Sequence, residues 1–390
     1  MTALIKTSTL AAQPGWGQDL SRGAAGIALL HLENGRWDTA RPWLRMMTAD
    51  PVTADPAACG LYRGAPAVAF TLHSARRTTG KPVFQVALNT LDEHITTLTH
   101  QRLVVAHDRI DRRQLPEVRE FDLISGLTGI GTYLLHAHGD THPLRQVLAY
   151  LVRLTEPVVI DGDQLPGWWS GNGPAGHPEN RWPGGHGNLG IAHGIAGPLA
   201  LLAITARRGI AVSGLYEAME RICTWLDDLR QGAAGNTWWP GVVSRTEHRA
   251  RTVRQLGPQR PSWCYGTPGL ARAQQLAALV LENRLRQRHA EEALMSCVND
   301  ERQLAQLRDA SLCHGWAGLL HTTRRTAADA ADDRLASSLP ALRTRLHDHL
   351  DRHGSPTSPG LLEGTAGVLL ANRVDPTSVT RWDACLLLNG

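Results

Sequence analysis

Three residues that bind soft or borderline metals sit in two short, similar stretches: Cys264 in SWCYGTPG, and Cys313 with His314 in SLCHGWAG. Two cysteines and one histidine with an open fourth position make a catalytic zinc set, because structural zinc normally closes with four protein donors. A lone Cys-His dipeptide is usually core or surface, and only the phase these residues share with a repeat sets them apart. His193 stands before Gly194 at the position that Tyr265 and His314 hold in their own copies of the repeat. Asp122 lies four residues before Gly126, and Arg260 four residues before Cys264. An imidazole, a carboxylate, a guanidinium and a phenol beside a metal form an acid/base constellation. Each also has a plainer role on its own: Asp122 as a helix cap, Arg260 in an ion pair, His193 as a structural histidine.

These residues are placed by a glycine-pair motif that recurs seven times, at Ser21–Gly26, Leu61–Ala67, Ile124–Gly129, Ala192–Gly197, Cys264–Gly269, Cys313–Gly318 and Leu362–Gly367. The second copy reads GAPA in place of G-x-x-G. An apolar helical stretch follows each pair, and between these stretches lie more amphipathic ones such as 143–155, 215–230 and 334–353, with apolar residues three and four apart. The pattern predicts fourteen helices, alternately inner and outer, with glycine permitting close approach at the start of each inner helix. The last copy is as apolar as the middle ones, whereas an open solenoid needs polar end caps. A ring closed on itself is therefore expected, with all seven motifs on one rim.

Two stretches depart from the repeat. Residues 102–120 are charged and contain a proline, which suggests a small insert. Residues 161–188 form a Gly-, Pro- and Trp-rich irregular loop beside the rim, and long loops of this kind are often functional. Its His186 is a further proton-transfer candidate or merely part of the loop. The pairs Trp168–Trp169 and Trp238–Trp239 could line a groove for an extended peptide or plug the toroid ends. Strand patterns are sparse, the best being 102–107 and 157–161.

Composition narrows the classes. The 390 residues, 42% hydrophobic and 19% charged, suit a globular protein with a large core. The net charge of +4 is scattered, far from a nucleic-acid binder's balance, and the basic stretch 245–255 reads as a solvated loop. The N-terminus lacks the apolar centre of a secretory signal, and no apolar run approaches a membrane span. A cytoplasmic location is expected, with any membrane association arising through a biosynthetic complex. There the six cysteines read as thiols or metal ligands, not disulfides.

The segments DLISGLTGIGTYLL, NLGIAHGIAGPLALLA, RPSWCYGTPGLARA, SLCHGWAGLL and LLEGTAGVLLA closely resemble the LanC lanthionine cyclases, and the seven-fold motif carries the likeness over nearly the whole chain. The resemblance implies an all-α (α/α)7 double toroid, inner and outer rings of seven helices, as one domain over residues 1–390. It implies one Zn2+ held by Cys264, Cys313 and His314, and active-site roles for His193, Asp122, Arg260 and Tyr265. The implied reaction adds a peptide Cys thiolate to a dehydroalanine or dehydrobutyrine of the same peptide, giving lanthionine or methyllanthionine. In that scheme His193 protonates the enolate, Asp122 holds its tautomer, Arg260 restrains Asp122 or stabilises negative charge, and Tyr265 orients the peptide. The implied partners are a dehydrated precursor peptide, leader plus core, with a dehydratase and a transporter. Because the chain begins almost at the first repeat, a free-standing class I cyclase is expected. Three alternatives compete: a LanC-like enzyme adding glutathione to dehydrated residues, a non-catalytic zinc scaffold, and a carbohydrate-active toroid. The last needs paired acids, and this rim offers chiefly Asp122.

Overall fold

Every glycine pair opens a helix. The computed structural model describes residues 14–233, 235–374 and 377–389. Residues 1–13, which carry most of the N-terminal stretch read as lacking a secretory signal, lie outside them. Among the described residues, thirteen helices of seven or more residues follow in order: α1 (Ala24–Glu33), α2 (Trp37–Met46), α3 (Ala65–Thr79), α4 (Gln85–Asp111), α5 (Leu127–His138), α6 (His142–Leu154), α7 (Ala196–Arg207), α8 (Leu215–Asp228), α9 (Thr267–Val280), α10 (Arg284–Asn299), α11 (Trp316–Ala328), α12 (Arg334–His353) and α13 (Thr365–Ala371).

The odd-numbered helices form the inner ring. Their sequences are apolar around most of the circumference, and α1 is buried along its whole length. The even-numbered helices bury one stripe: α6 buries Leu144, Val147, Leu148 and Leu151, as expected for an amphipathic outer helix. Each inner helix touches the next, and α13 touches α1, so the ring closes. Each even-numbered helix packs on the inner helix before it. Among the described residues no helix is long and apolar enough to cross a membrane.

The glycines permit close approach. A Cβ on Gly269 would stand 2.0 Å from the Trp263 carbonyl oxygen, and one on Gly367 1.9 Å from that of Leu361. In six of the seven copies the second glycine thus lies against the carbonyl six residues earlier; the second copy has Ala67 there.

The seventh repeat differs from the expected fourteen helices. After α13 no outer helix follows among the described residues; instead the tail turns inward and buries Trp382 and Cys385–Leu388. Tyr62 Oη donates to the Cys385 carbonyl (2.8 Å), Trp263 Nε1 to Leu386 (2.9 Å) and Arg272 Nε to Leu388 (3.0 Å). Partners drawn from α9, α11 and two rim loops surround this segment, so it fills the middle of the ring. Burying that much apolar surface is more favourable than leaving the centre open to water.

Four further expectations resolve locally. Residues 102–107 are not a strand but the interior of α4, whose Leu103 and Ala106 are buried at helical spacing. Nor are residues 102–120 a separate insert, since α4 runs to Asp111 and a one-turn helix, Val118–Phe121, leads into the third rim loop. The strand near 157–161 is present: β1 (Val158–Ile160) pairs antiparallel with β2 (Asp163–Leu165), and β3 (His186–Asn188) with β4 (Val242–Ser244). The basic stretch opens with a short helix, Arg245–Ala250, capped by Ser244 and Glu247, and Arg245 and Arg249 pair with Asp163.

All four paired tryptophans are buried, with Trp168 in the wall of a cavity of about 870 Å³. Trp169 Nε1 donates to the Gly184 carbonyl and Trp239 Nε1 to that of Leu226, seating the irregular loop and its neighbour on the fold.

Candidate active site and metal centre

The rim is held together by backbone hydrogen bonds between neighbouring loops. The residue two before each first glycine recurs in them: Leu362 N donates to Ser21 O (2.8 Å), Cys313 N to Leu362 O (2.8 Å) and Cys264 N to Cys313 O (3.3 Å). The line continues one residue out of step, with Ile191 N donating to Cys264 O (3.2 Å) and Leu123 N to Ala192 O (3.1 Å). The repeat therefore sets Cys264 and Cys313 side by side through their main chains.

Ligand atoms of Cys264, Cys313 and His314 all lie within 4.8 Å of one another, and no fourth Cys, His, Asp or Glu joins the group among the described residues. The hydrogen bond from the Cys313 thiol pulls Cys264 well below its ordinary pKa, despite burial. The same bond, together with burial, pushes Cys313 up. His314 rises to about 9, chiefly through Asp309, whose Oδ2 lies 3.3 Å from its Nε2. Asp309 also accepts the Ser311 amide at 2.7 Å, which fixes its carboxylate. A carboxylate behind a ligating histidine is the usual outer support of a metal site. Two thiols, an imidazole and that support fit a zinc ion.

His193 Nδ1 lies 2.7 Å from Asp122 Oδ2, and the histidine side chain is 43% exposed while Asp122 is buried. The other carboxylate oxygen accepts the amides of Ser125 and Gly126, each at 2.7 Å. Asp122 therefore closes the turn that leads into α5 and orients His193; it does not cap the helix, whose N-cap is Gly126 with no side-chain cap bond. Burial disfavours the charged imidazole, but the hydrogen bond and charge of Asp122 outweigh it and raise the His193 pKa.

Tyr265 stands with its ring centroid 6.4 Å from that of His193, and its hydroxyl accepts Asn188 Nδ2 at 2.9 Å. Burial pushes its pKa up to about 12, so it remains a neutral donor. Arg260 does not restrain Asp122, which the two amides hold. It lines a cavity of about 410 Å³ with Gln259, Ser262, Tyr265, Gln306 and Arg308, and its charge reaches Cys313 and His314.

His186 is fully buried, with Nδ1 2.7 Å from the Asn172 carbonyl, and belongs to the loop's packing. Sequence reasoning missed Asn188 and Asp309. Both stand six residues before the first glycine of a rim motif, a phase shared with the repeat that marks them in retrospect.

The family model described as lanthionine synthetase C-like protein matches residues 14–387. The nisin biosynthesis protein NisC of Lactococcus lactis subsp. lactis is 23% identical over 383 residues, covering 95% of this chain and 88% of that protein. The solved structure of a nisin cyclase superposes with a TM-score of 0.81 at 21% identity, covering 96% of this chain and 93% of the other. With a family match running from the first rim loop to the buried tail, and a closed helical ring to go with it, the chain belongs to the lanthionine synthetase C-like family.

Proposed function

We propose that this protein is a zinc-dependent lanthipeptide cyclase, joining Cys thiols of a dehydrated precursor peptide to dehydroalanine or dehydrobutyrine in the same peptide. The observation that carries this reading is the shared rim: the Cys264–Cys313–His314 group and the His193–Asp122 pair stand on neighbouring loops. Bound zinc would supply Lewis acidity that favours the thiolate of a substrate cysteine, whose free pKa is about 8.5.

Cys264, Cys313 and His314 would hold the ion. His193 accepts the substrate thiol proton on Nε2, the nitrogen that Asp122 leaves free. As sulfur bonds to the β-carbon, the double bond's electrons pass to Cα and its carbonyl, and His193 returns the proton to Cα. Nothing is lost, so the peptide's mass is unchanged. Tyr265, with its oxygen accepting from Asn188, directs its own hydrogen outward to the peptide. Arg260 stabilises charge developing on the enolate oxygen. A leader-bearing precursor, a dehydratase that supplies it and a transporter that removes the product are the partners this role requires.

The test is incubation of the purified protein with dehydrated peptides, followed by thiol alkylation and mass spectrometry. Loss of alkylatable thiol at constant mass is expected, and chelation should abolish it. Consumption of added glutathione by a Cys-free dehydrated peptide would instead support the glutathione-adding alternative. No thiol loss with any dehydrated peptide would reject the cyclase reading.

A further inference from the structure

At the end of the inner helices away from the rim, His73 of α3, Asp92 of α4 and His138 of α5 place ligand atoms within 4.8 Å of one another. His138 is the last residue of α5, twelve residues long, so this cluster lies about 17 Å along the axis from the rim. We infer that His73, Asp92 and His138 form a second transition-metal site that takes Zn2+, with one coordination position open to solvent.

Geometry favours a metal over a simple ion cluster. His73 Nε2 is 3.4 Å from Asp92 Oδ2, and His138 Nε2 is 3.3 Å from Asp92 Oδ1. Zinc–ligand bonds of about 2.0–2.1 Å put neighbouring ligand atoms about 3.3–3.4 Å apart, the separation each histidine has from its own oxygen of the Asp92 carboxylate. The His73 side chain is only 9% exposed, and its Nε2 meets the Asp92 carboxylate at ion-pair distance without a well-formed hydrogen bond. Leaving a buried polar atom unsatisfied is costly, and a metal ion would satisfy it. The Tyr133 hydroxyl donates to Asp92 Oδ1, orienting the carboxylate as outer partners of metal ligands do.

The cluster opens into a cavity of about 650 Å³ whose wall includes Arg76, Arg77 and Lys81. Arg77 is turned to the His136 carbonyl, and Arg77 and Lys81 are exposed, where water and salt screen their repulsion of a cation. Two imidazoles and one carboxylate suit zinc or another late first-row dication. Drawn from three helices, the ligands would clamp α4 to the inner ring.

Elemental analysis of full-length protein, loaded with zinc and dialysed, tests this without reference to activity. Two equivalents are expected in the wild type and one in the double variant Cys264→Ala/Cys313→Ala. His138→Ala, at a side chain 31% exposed, should hold one fewer than its parent in either background, with unchanged circular dichroism. Asp92→Asn should give the same loss. A double Cys variant that kept all its metal would count against the rim assignment alone, because His138→Ala reads this cluster by itself. If His138→Ala and Asp92→Asn leave the metal content of both backgrounds unchanged, the inference is wrong.

Discussion

The amide of Cys264 donates to the carbonyl of Cys313 across the boundary between two repeats, at 3.3 Å. The two thiols are thus brought together by main-chain bonds that exist whatever side chains stand there. Metal binding is therefore separable from folding at these positions. Cys264→Ala and Cys313→Ala should each lose the rim metal and cyclisation while keeping a native far-UV spectrum and a melting temperature within a few degrees of the metal-free parent. Metal analysis beside a thermal melt checks this; a Cys variant that cyclised normally would remove the thiols from the reaction.

Asp309 would act on a rim metal only through His314, whose Nε2 lies 3.3 Å from its Oδ2. In Asp309→Asn the amide can still accept the Ser311 N–H but no longer supports the imidazole with charge. Zinc affinity should fall about 10–100-fold, the usual effect of losing such a partner. Competition with a chromophoric chelator measures it. Because the three ligands remain, saturating zinc should restore most of the activity.

His193 and Asp122 give a prediction with a definite sign. Asp122 raises the histidine's pKa against the lowering effect of burial. In Asp122→Asn the lowering effect of burial is opposed only by the nearby Cys264, so the imidazole should titrate at lower pH than in the wild type. The Asn side chain can keep its oxygen on the Ser125 and Gly126 amides and turn its NH2 toward Nδ1, which forces the proton onto Nε2. A neutral imidazole of that tautomer cannot accept the thiol proton. His193→Ala should cost about 10²–10⁴ in rate with zinc retained, and Asp122→Asn a substantial part of that. NMR titration of His193 and the pH–rate profile report the two effects separately.

What the sequence disclosed follows from periodicity. The glycine pairs place seven loops on one rim, and any reactive residue at a fixed offset from a pair shares that rim; Cys264, Cys313, His314, His193 and Tyr265 were legible for this reason. Asp122 was legible as a residue, though its double role needed coordinates. The misreading of 102–107 as a strand arose because Leu-Val-Val suits either structure over so short a span, and the burial of Leu103 and Ala106 on α4 decides it only in three dimensions. The inward tail was invisible because nothing local distinguishes an apolar segment that fills a ring from one that forms an outer helix. The His73–Asp92–His138 cluster escaped for a similar reason, since its members share no motif and meet only through the packing of three helices.

The tail yields a stability prediction. Asp383 is fully buried, 3.0 Å from His321 Nε2 and 2.6 Å from Arg325 Nε, both on α11. Asp383→Ala would leave a guanidinium without its counter-charge and a buried imidazole without its acceptor, at a cost of about 3–5 kcal/mol. Burial works against the carboxylate, but His321 and Arg325 lower its pKa to about 2, from 3.8. A depressed carboxyl pKa stabilises the fold above the unfolded value, and that contribution is lost as pH falls through the folded one. The wild type should therefore lose stability as pH drops from about 4 to 2, and Asp383→Ala, already destabilised, should lose less over that window. Urea denaturation at neutral pH and at several points through the window measures both. Equal acid sensitivity in the two proteins would mean that the ion pair does not hold the tail in the ring.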